Sequence, residues 1–445
     1  MPLTQTLLEI DEFHQYLDDN TFSQNIPVEW IESALTLSSQ ATIRRRRLPS
    51  DQVLWLVLGM ALFRHEPIHE VARRLNICAQ GLANESLLAK SGVTKARTRL
   101  GAQPIEWLYR KTAKHWGLER YPEDTWEGLQ VFAIDGALLR TPDNPELREH
   151  FGSGNTSTER QTPYPMMRLV SLMNVRSHVM MDAQISPYRK GEIPQAESLI
   201  RTLPEHSVTL MDKAFWSANL LLSLSMNKTN PNRHWVIPAR KRLVAQEIKR
   251  YTPHDCLLEM KVSPQARKKN PALPEKWQVR AVSYRVNGVD KTVYTSLPYE
   301  DYPTQKVAQL YHERWEIELG YRDIKSSMQH NALTLRSKKV ELVKQEVWGL
   351  LLAYNLIRRE ASQAAISFGK SPSQISFKAV FQYIAVQLIV MADAVSPSKT
   401  GARLSELRGG IANLIIEDRP RPSRPRSVKM SKTRYPVNRY ASPLK

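Results

Sequence analysis

Tyr311-His312-Glu313-Arg314-Trp315-Glu316-Ile317-Glu318-Leu319-Gly320-Tyr321-Arg322-Asp323-Ile324-Lys325 reads as one helix, free of Pro and rich in helix formers. At about 100° per residue, Tyr311, Arg314, Glu318 and Lys325 fall within an arc of roughly 60°. One face therefore carries an aromatic hydroxyl, a guanidinium, a carboxylate and an ammonium. Beside it runs an apolar stripe, Leu310, Ile317, Ile324 and Met328, which seats the helix on a core and turns the polar face to a cleft. A carboxylate flanked by cations suits a site that holds a metal ion and a phosphate backbone together. A solvated helix with an Arg314–Glu318 ion pair is the plainer reading, but it leaves the spacing Y-x2-R-x3-E-x6-K unexplained.

The residues before this helix supply partners for Glu318. Val131-Phe132-Ala133-Ile134-Asp135-Gly136 is a short apolar run ending in Asp-Gly. Met167–Met173 and Val179–Ile185 read as two further strands, Glu192–Leu203 as a helix, and Val208-Thr209-Leu210-Met211-Asp212-Lys213 as a strand ending in Asp. Ala218–Met226 reads as a helix and His234–Pro238 as a last strand. The order β-β-β-α-β-α-β, followed later by the Glu318 helix, is that of a ribonuclease-H-like core, an α/β fold with a mixed sheet flanked by helices. Residues 241–300 delay that helix. They are mostly strand-like, with Asn287-Gly288 as a hairpin signal and a basic loop at Arg267-Lys268-Lys269, and read as a β-strand insertion.

Taken singly, Asp135 is more often a turn residue and Asp212 a helix cap. Taken with the strand order and the helix face, Asp135, Asp212 and Glu318 form a candidate catalytic and metal-binding trio. Bare carboxylates brought together repel, and hard divalent cations remove that repulsion. Two Mg²⁺ ions roughly 3.5–4 Å apart can grip a scissile phosphate from both sides; Mn²⁺ has the same ligand preferences.

The remainder is helical. Residues 1–125 contain an apolar helix at Asp51–Phe63, preceded by Arg44, Arg45, Arg46 and Arg47, then Ile68–Leu75 and Val93–Leu100 with basic faces. Such short helices resemble a helix-turn-helix arrangement and read as a DNA-binding domain. The core resumes over 301–360, where Glu346–Ile357 is apolar nearly all round and should be buried. Residues 361–418 form a helical region, including Phe377–Ala394, suited to pairing two chains. Residues 419–445 are Pro- and Arg-rich without an acid and read as a disordered basic tail.

Composition agrees. A formal charge of +19 over 445 residues favours a polyanionic partner, most simply nucleic acid. Cys78 and Cys256 are the only cysteines, too few for a Cys-based zinc site and consistent with a reducing cytoplasm. No apolar signal core opens the chain, the longest apolar run, Val53–Phe63, is too short to span a bilayer, and no phosphate-binding G-x-x-x-x-G-K-[ST] loop is present.

On Ala133–Gly136, Thr209–Lys213 and Tyr311–Lys325 the sequence resembles bacterial DDE transposases of the insertion sequence 4 family, and the similarity runs from the Arg44–Arg47 region to about Arg359. Ala214 stands where many relatives have Gly. The resemblance implies Mg²⁺ on Asp135, Asp212 and Glu318, and contacts from Tyr311, Arg314 and Lys325 to a transposon end; Trp315, Arg322 and Arg44–Arg47 join the DNA-binding candidates. It also implies cut-and-paste transposition between inverted-repeat ends and target double-stranded DNA, through a hairpin, by a homodimer. Trp315, Trp277 and Tyr284 are the candidates for holding a flipped base. A non-catalytic DNA-binding protein, or a nuclease of the same fold without strand transfer, remain the alternatives.

Overall fold

The computed structural model describes residues 26–37, 48, 50–75, 90–154, 164–225, 232–240, 243–286, 288–330, 334–394 and 400–416. Arg44–Arg47 and the 419–445 tail lie outside them.

The apolar runs expected to be strands are strands. β1 (Thr125–Trp126) and β2 (Leu129–Arg140) are followed by α6 (Pro145–Phe151), β3 (Met166–Asn174), β4 (Met180–Pro187), α7 (Glu192–Leu199), β5 (Ser207–Met211), α8 (Ala218–Ser225) and β6 (Arg233–Pro238). They assemble in the spatial order β4-β3-β2-β5-β6. β3 is antiparallel to both neighbours, whereas β2, β5 and β6 are parallel. This is the ribonuclease-H-like core that the element order predicts. Alternation along β2 explains why both faces are covered. Val131, Ala133, Ala137 and Leu139 join one core cluster and Phe132 and Ile134 the other, as a strand sandwiched between two helical layers requires.

The inserted residues continue the same sheet. β7 (Ala245–Thr252), β8 (Asp255–Lys261), β9 (Lys276–Val286) and β10 (Val289–Thr295) form an antiparallel series that joins the core through β10 against β6, giving one 10-stranded sheet. β7 escaped the sequence reading because Gln246-Glu247-Ile248-Lys249-Arg250 are all exposed at the sheet edge and show no alternation. Arg267-Lys268-Lys269 is not a loop. It ends a short helix, α9 (Pro264–Lys269), started by the Ser263 side chain accepting from the Ala266 N–H and by Pro264 in the first turn. Inside the insertion, Arg280 (3% exposed) and Asp255 (0%) pair at 2.6 Å. Thr304, the first residue of α10 (Thr304–Leu310), donates its hydroxyl to the same carboxylate at 2.6 Å. The insertion is thereby bolted to the start of the helix that leads to Glu318.

The N-terminal helices are α1 (Val28–Thr36), α2 (Ser50–Leu62), α3 (Ile68–Arg74), α4 (Lys90–Leu100) and α5 (Gln103–Gly117). α2 is buried, as its composition requires. It packs with α5 on α12 (Val340–Ser367), whose residues Glu346 to Arg358 are all buried. Half of the basic face of α4 is spent internally. Arg97 is buried, donating to Gln345 at 2.9 Å and Ser337 at 3.0 Å, and Arg99 donates to the Leu48 carbonyl. Arg336 likewise donates to the carbonyls of Met60 and Glu66, both at 2.7 Å. Two helices follow, α13 (Phe377–Ala394) and α14 (Thr400–Ala412). Among the described residues no helix is long and apolar enough to cross a membrane.

Candidate active site

β2 and β5 run in parallel, with Ile134 opposite Met211. Asp135 and Asp212, each the next residue, therefore emerge side by side. Asp135 does not end its strand as the sequence suggested: β2 continues to Arg140 because β3 pairs with it as far as Met166. Asp212 does lie just past the end of β5. Its carboxylate caps a 3₁₀ turn, Lys213–Phe215, by accepting from the Ala214 N–H at 2.6 Å. The capping role and a place at the site thus coexist.

The stretch from Tyr311 to Met328 is helical throughout but changes pitch twice. Tyr311–Arg314 is 3₁₀, Trp315–Arg322 is α-helix (α11), and Asp323–Met328 is a π turn. A π turn inside a helix often marks a functional position. The apolar stripe is buried as expected: Leu310 1%, Ile317 0%, Ile324 2%, Met328 0% exposed. The helix lies over β2, and its polar face meets the two aspartates. Arg314 donates to Glu318 Oε1 at 2.5 Å. Tyr311 donates its hydroxyl to the Met211 carbonyl at 3.2 Å, and Tyr321 its own to the Asp135 carbonyl at 2.7 Å. Lys325 lies 5.9 Å from the Tyr321 ring centre.

The charges feel one another. The Asp135 carboxyl is pushed up to about 6, chiefly by burial; the Gly136 N–H and Arg314 oppose this, and Asp212 and Glu318 reinforce it. Burial lowers the Lys325 ammonium, against the pull of Asp135. Burial likewise raises the Tyr311 and Tyr321 phenols. Asp135, Asp212, Glu318, Arg314 and Lys325 are therefore one electrostatic unit.

Other candidates sort by exposure. Arg322 is exposed, and Trp315 is 39% exposed three residues before Glu318. Trp277 is 7% exposed and packs on Trp216 and Trp235 at 5.7 and 5.9 Å between ring centres. It is a core residue and could stack on a base only by leaving that core. Tyr284 is half-buried, with its ring 5.9 Å from that of His312, so the insertion does reach the Tyr311 end of the site. Sequence reading passed over Tyr321. At the ideal helical angle it lies about 20° outside the polar arc and so belongs to neither face. It also passed over Arg168 and Glu192, which pair behind Gly136.

In the arrangement described, no group of three His, Cys, Asp or Glu among the described residues closes on one metal position. Glu318 Oε1 is turned to Arg314 and Asp212 to a backbone N–H. The donor chemistry still fits a hard cation: three carboxylates share the site, and burial, reinforced by the other two acids, drives Asp135 toward its neutral form.

Comparison with known proteins supplies the family. The model for the transposase DDE domain matches residues 126–356, and that for the insertion element 4 transposase N-terminal region matches 19–110. The chain belongs to the insertion element 4 family of DDE transposases. It is 37% identical over 92% of its length to the transposase InsG for insertion sequence element IS4 of Escherichia coli (strain K12), covering 91% of that protein. It is 51% identical over 56% of its length to the protein of the same strain named "Putative transposase InsZ", covering 81% of it. A piggyBac transposase chain, solved as a synaptic complex with hairpin DNA, superposes with a TM-score of 0.44 at 12% identity, over 91% of this chain and 86% of that one, a likeness too low to bear on the fold. The protein is a DNA transposase, and DDE domains of this kind use divalent metal ions.

Proposed function

We propose that Asp135, Asp212 and Glu318 are the metal-binding catalytic carboxylates of a cut-and-paste transposase that acts on the inverted-repeat ends of an insertion sequence. The observation that carries this reading is the parallel register of Ile134 with Met211, which delivers two aspartates side by side under the face of Glu318. Two Mg²⁺ ions, with Mn²⁺ as a substitute, would supply the positive charge that acidifies the attacking hydroxyl and stabilises the leaving oxygen.

The chain's own residues do the rest. The three carboxylates would hold the cations near the scissile phosphate. Arg314 keeps Glu318 aimed, and its guanidinium is of the kind that pairs with a backbone phosphate in two-pronged fashion. Lys325 and Arg322 add charge along the same face. Trp315, exposed beside the site, stacks on a base displaced from the duplex. Water opens one strand, the freed 3′-hydroxyl attacks the opposite strand to leave a hairpin on the transposon end, and the reopened end joins target DNA. The N-terminal helices, with Arg44–Arg47, hold the repeat. The C-terminal helices pair two chains so that both ends are cut together.

The test is a labelled duplex carrying the inverted repeat that borders the gene, incubated with protein and Mg²⁺ and resolved on a denaturing gel beside Glu318→Ala. The reading requires nicking and a hairpin from the parent, and binding without cleavage from the variant. Binding without cleavage by the parent in either metal would indicate a non-catalytic DNA-binding protein. Nicking with no hairpin or joined product would indicate a nuclease.

A further inference from the structure

The tyrosine hydroxyls on the Glu318 helix each end on a strand backbone, one on β5 and one on β2, within a residue of the two aspartates. Tyr311 Oη donates to the carbonyl of Met211, the residue before Asp212, at 3.2 Å. Tyr321 Oη donates to the carbonyl of Asp135 itself at 2.7 Å. Glu318 lies between them, seven residues after the first and three before the second.

We infer that Tyr311 and Tyr321 are a two-point clamp that sets the position of Glu318 relative to both aspartates. They are positioning residues, and the inference rests on the carboxylate reading given above.

Physical constraints favour the clamp. The Met211 carbonyl lies where ladder pairing gives out, since β5 stops at Met211, whereas Asp135 is still paired with Ser171 of β3. A carbonyl left without a ladder partner next to a buried site needs a donor, and Tyr311 supplies it to Met211; Tyr321 adds a further donor to the second lone pair of the Asp135 carbonyl. Tyr321 is buried, and its ring packs in the core on the stripe side, so the hydroxyl is held by packing as well as by its bond. The stretch between the two pins contains the change from 3₁₀ to α winding. A helix that changes pitch has no fixed angular phase of its own, and two pins on either side of Glu318 restore it. Tyr311 on this account works through the strand, since its hydroxyl is already engaged and burial keeps it protonated.

Tyr311→Phe and Tyr321→Phe each remove one oxygen and keep the ring. The singles, the double variant and Glu318→Ala are compared by thermal unfolding, by binding to the repeat duplex, by single-turnover cleavage at saturating DNA, and by Mn²⁺ binding to the DNA-free protein followed by paramagnetic resonance. The clamp requires the double variant to bind the duplex as the parent does. Its cleavage should fall on the order of 10–100-fold, the usual consequence of about 1 Å of misplacement. Its Mn²⁺ affinity should drop and its Mg²⁺ requirement rise. Normal cleavage and normal Mn²⁺ binding in the double variant, with Glu318→Ala inactive, would overturn the clamp and leave the carboxylate reading standing. Cleavage by Glu318→Ala would overturn both. Loss of duplex binding in Tyr311→Phe, with unchanged cleavage of the DNA that remains bound, would return its hydroxyl to DNA recognition and overturn the clamp. Should the double variant fail to fold, the singles decide: each must slow cleavage and weaken Mn²⁺ binding, and if neither does the clamp is overturned.

Discussion

Arg314 holds Glu318 at 2.5 Å, one helical turn away, and the same guanidinium opposes the upward push on Asp135 from burial. One cation therefore serves two of the three carboxylates. Arg314→Gln removes it from both. With that support gone the Asp135 carboxyl moves further above 6, so a protonated, metal-refusing form persists to higher pH. The acid limb of the pH–rate profile for cleavage should shift upward, and cleavage at pH 7 should fall more than cleavage at pH 8.5. A profile displaced downward, or not displaced, would show that Arg314 does not govern Asp135.

Asp135 itself gives a prediction with a definite sign. Its carboxyl lies at about 6 against an ordinary 3.8, so its contribution favours the metal-free fold below about pH 4 and is lost as pH rises through 6. Asp135→Asn removes the buried charge. The variant should unfold at a higher temperature than the parent at pH 7.5 without metal, and the difference should vanish at pH 4. Divalent binding needs the ionised form. Mn²⁺ binding to the parent should therefore weaken below pH 6 and release protons, as calorimetry in buffers of different ionisation heat would register. In the variant, binding should be weak and nearly independent of pH.

Gly136 is required for space. A Cβ there would lie 2.6 Å from Glu192 Oε1, a carboxylate fixed in place by Arg168. Gly136→Ala should cost about 1–3 kcal/mol through overpacking and slow cleavage, because the strand that must yield carries Asp135. Shortening the opposing side chain, as Glu192→Asp, should restore part of the stability. Unfolding titrations of the two single variants and the pair would show a coupling, and simple additivity would exclude the contact as the cause.

The Asp255–Arg280 pair gives a test at a distance from the site. Both groups are buried, so Asp255→Ala leaves an uncompensated guanidinium and should cost about 3–5 kcal/mol. Because Thr304 shares that carboxylate, loosening should spread into α10. Hydrogen exchange should rise at the start of α10 as well as in β8 and β9. Faster exchange in the insertion alone would mean that the bolt does not reach the helix.

Much of this was legible from residue patterns. The alternation of β2, the apolar strip through Leu310, Ile317, Ile324 and Met328, and the Asp-terminated run at Val208–Lys213 all report local periodicity, and local periodicity survives folding. The three carboxylates followed because strand order and helix face both converge on them. What stayed hidden depends on partners far along the chain. Arg97 looks like a DNA-facing arginine until Gln345 is found beside it, 248 residues later. The extension of β2 past Gly136 depends on β3, and β7 has no pattern because Gln246 to Arg250 are exposed on both of its faces. Tyr321 was in plain view but lay between two categories of side chain, and its meaning came only with the Asp135 carbonyl.

The antiparallel pairing of β10 with β6, in the register Val293–Pro238, Tyr294–Ile237 and Thr295–Val236, makes the insertion and the carboxylate-bearing strands a single plate. A jaw could swing; a plate cannot, because opening it would strand backbone groups without partners. The cleft therefore behaves as an anvil of fixed shape. If the carboxylates act as proposed, the duplex is the more compliant body and supplies the bending and unstacking that bring its scissile phosphate to them, so repeat ends rich in easily kinked steps would gain an advantage in cutting that owes nothing to base recognition.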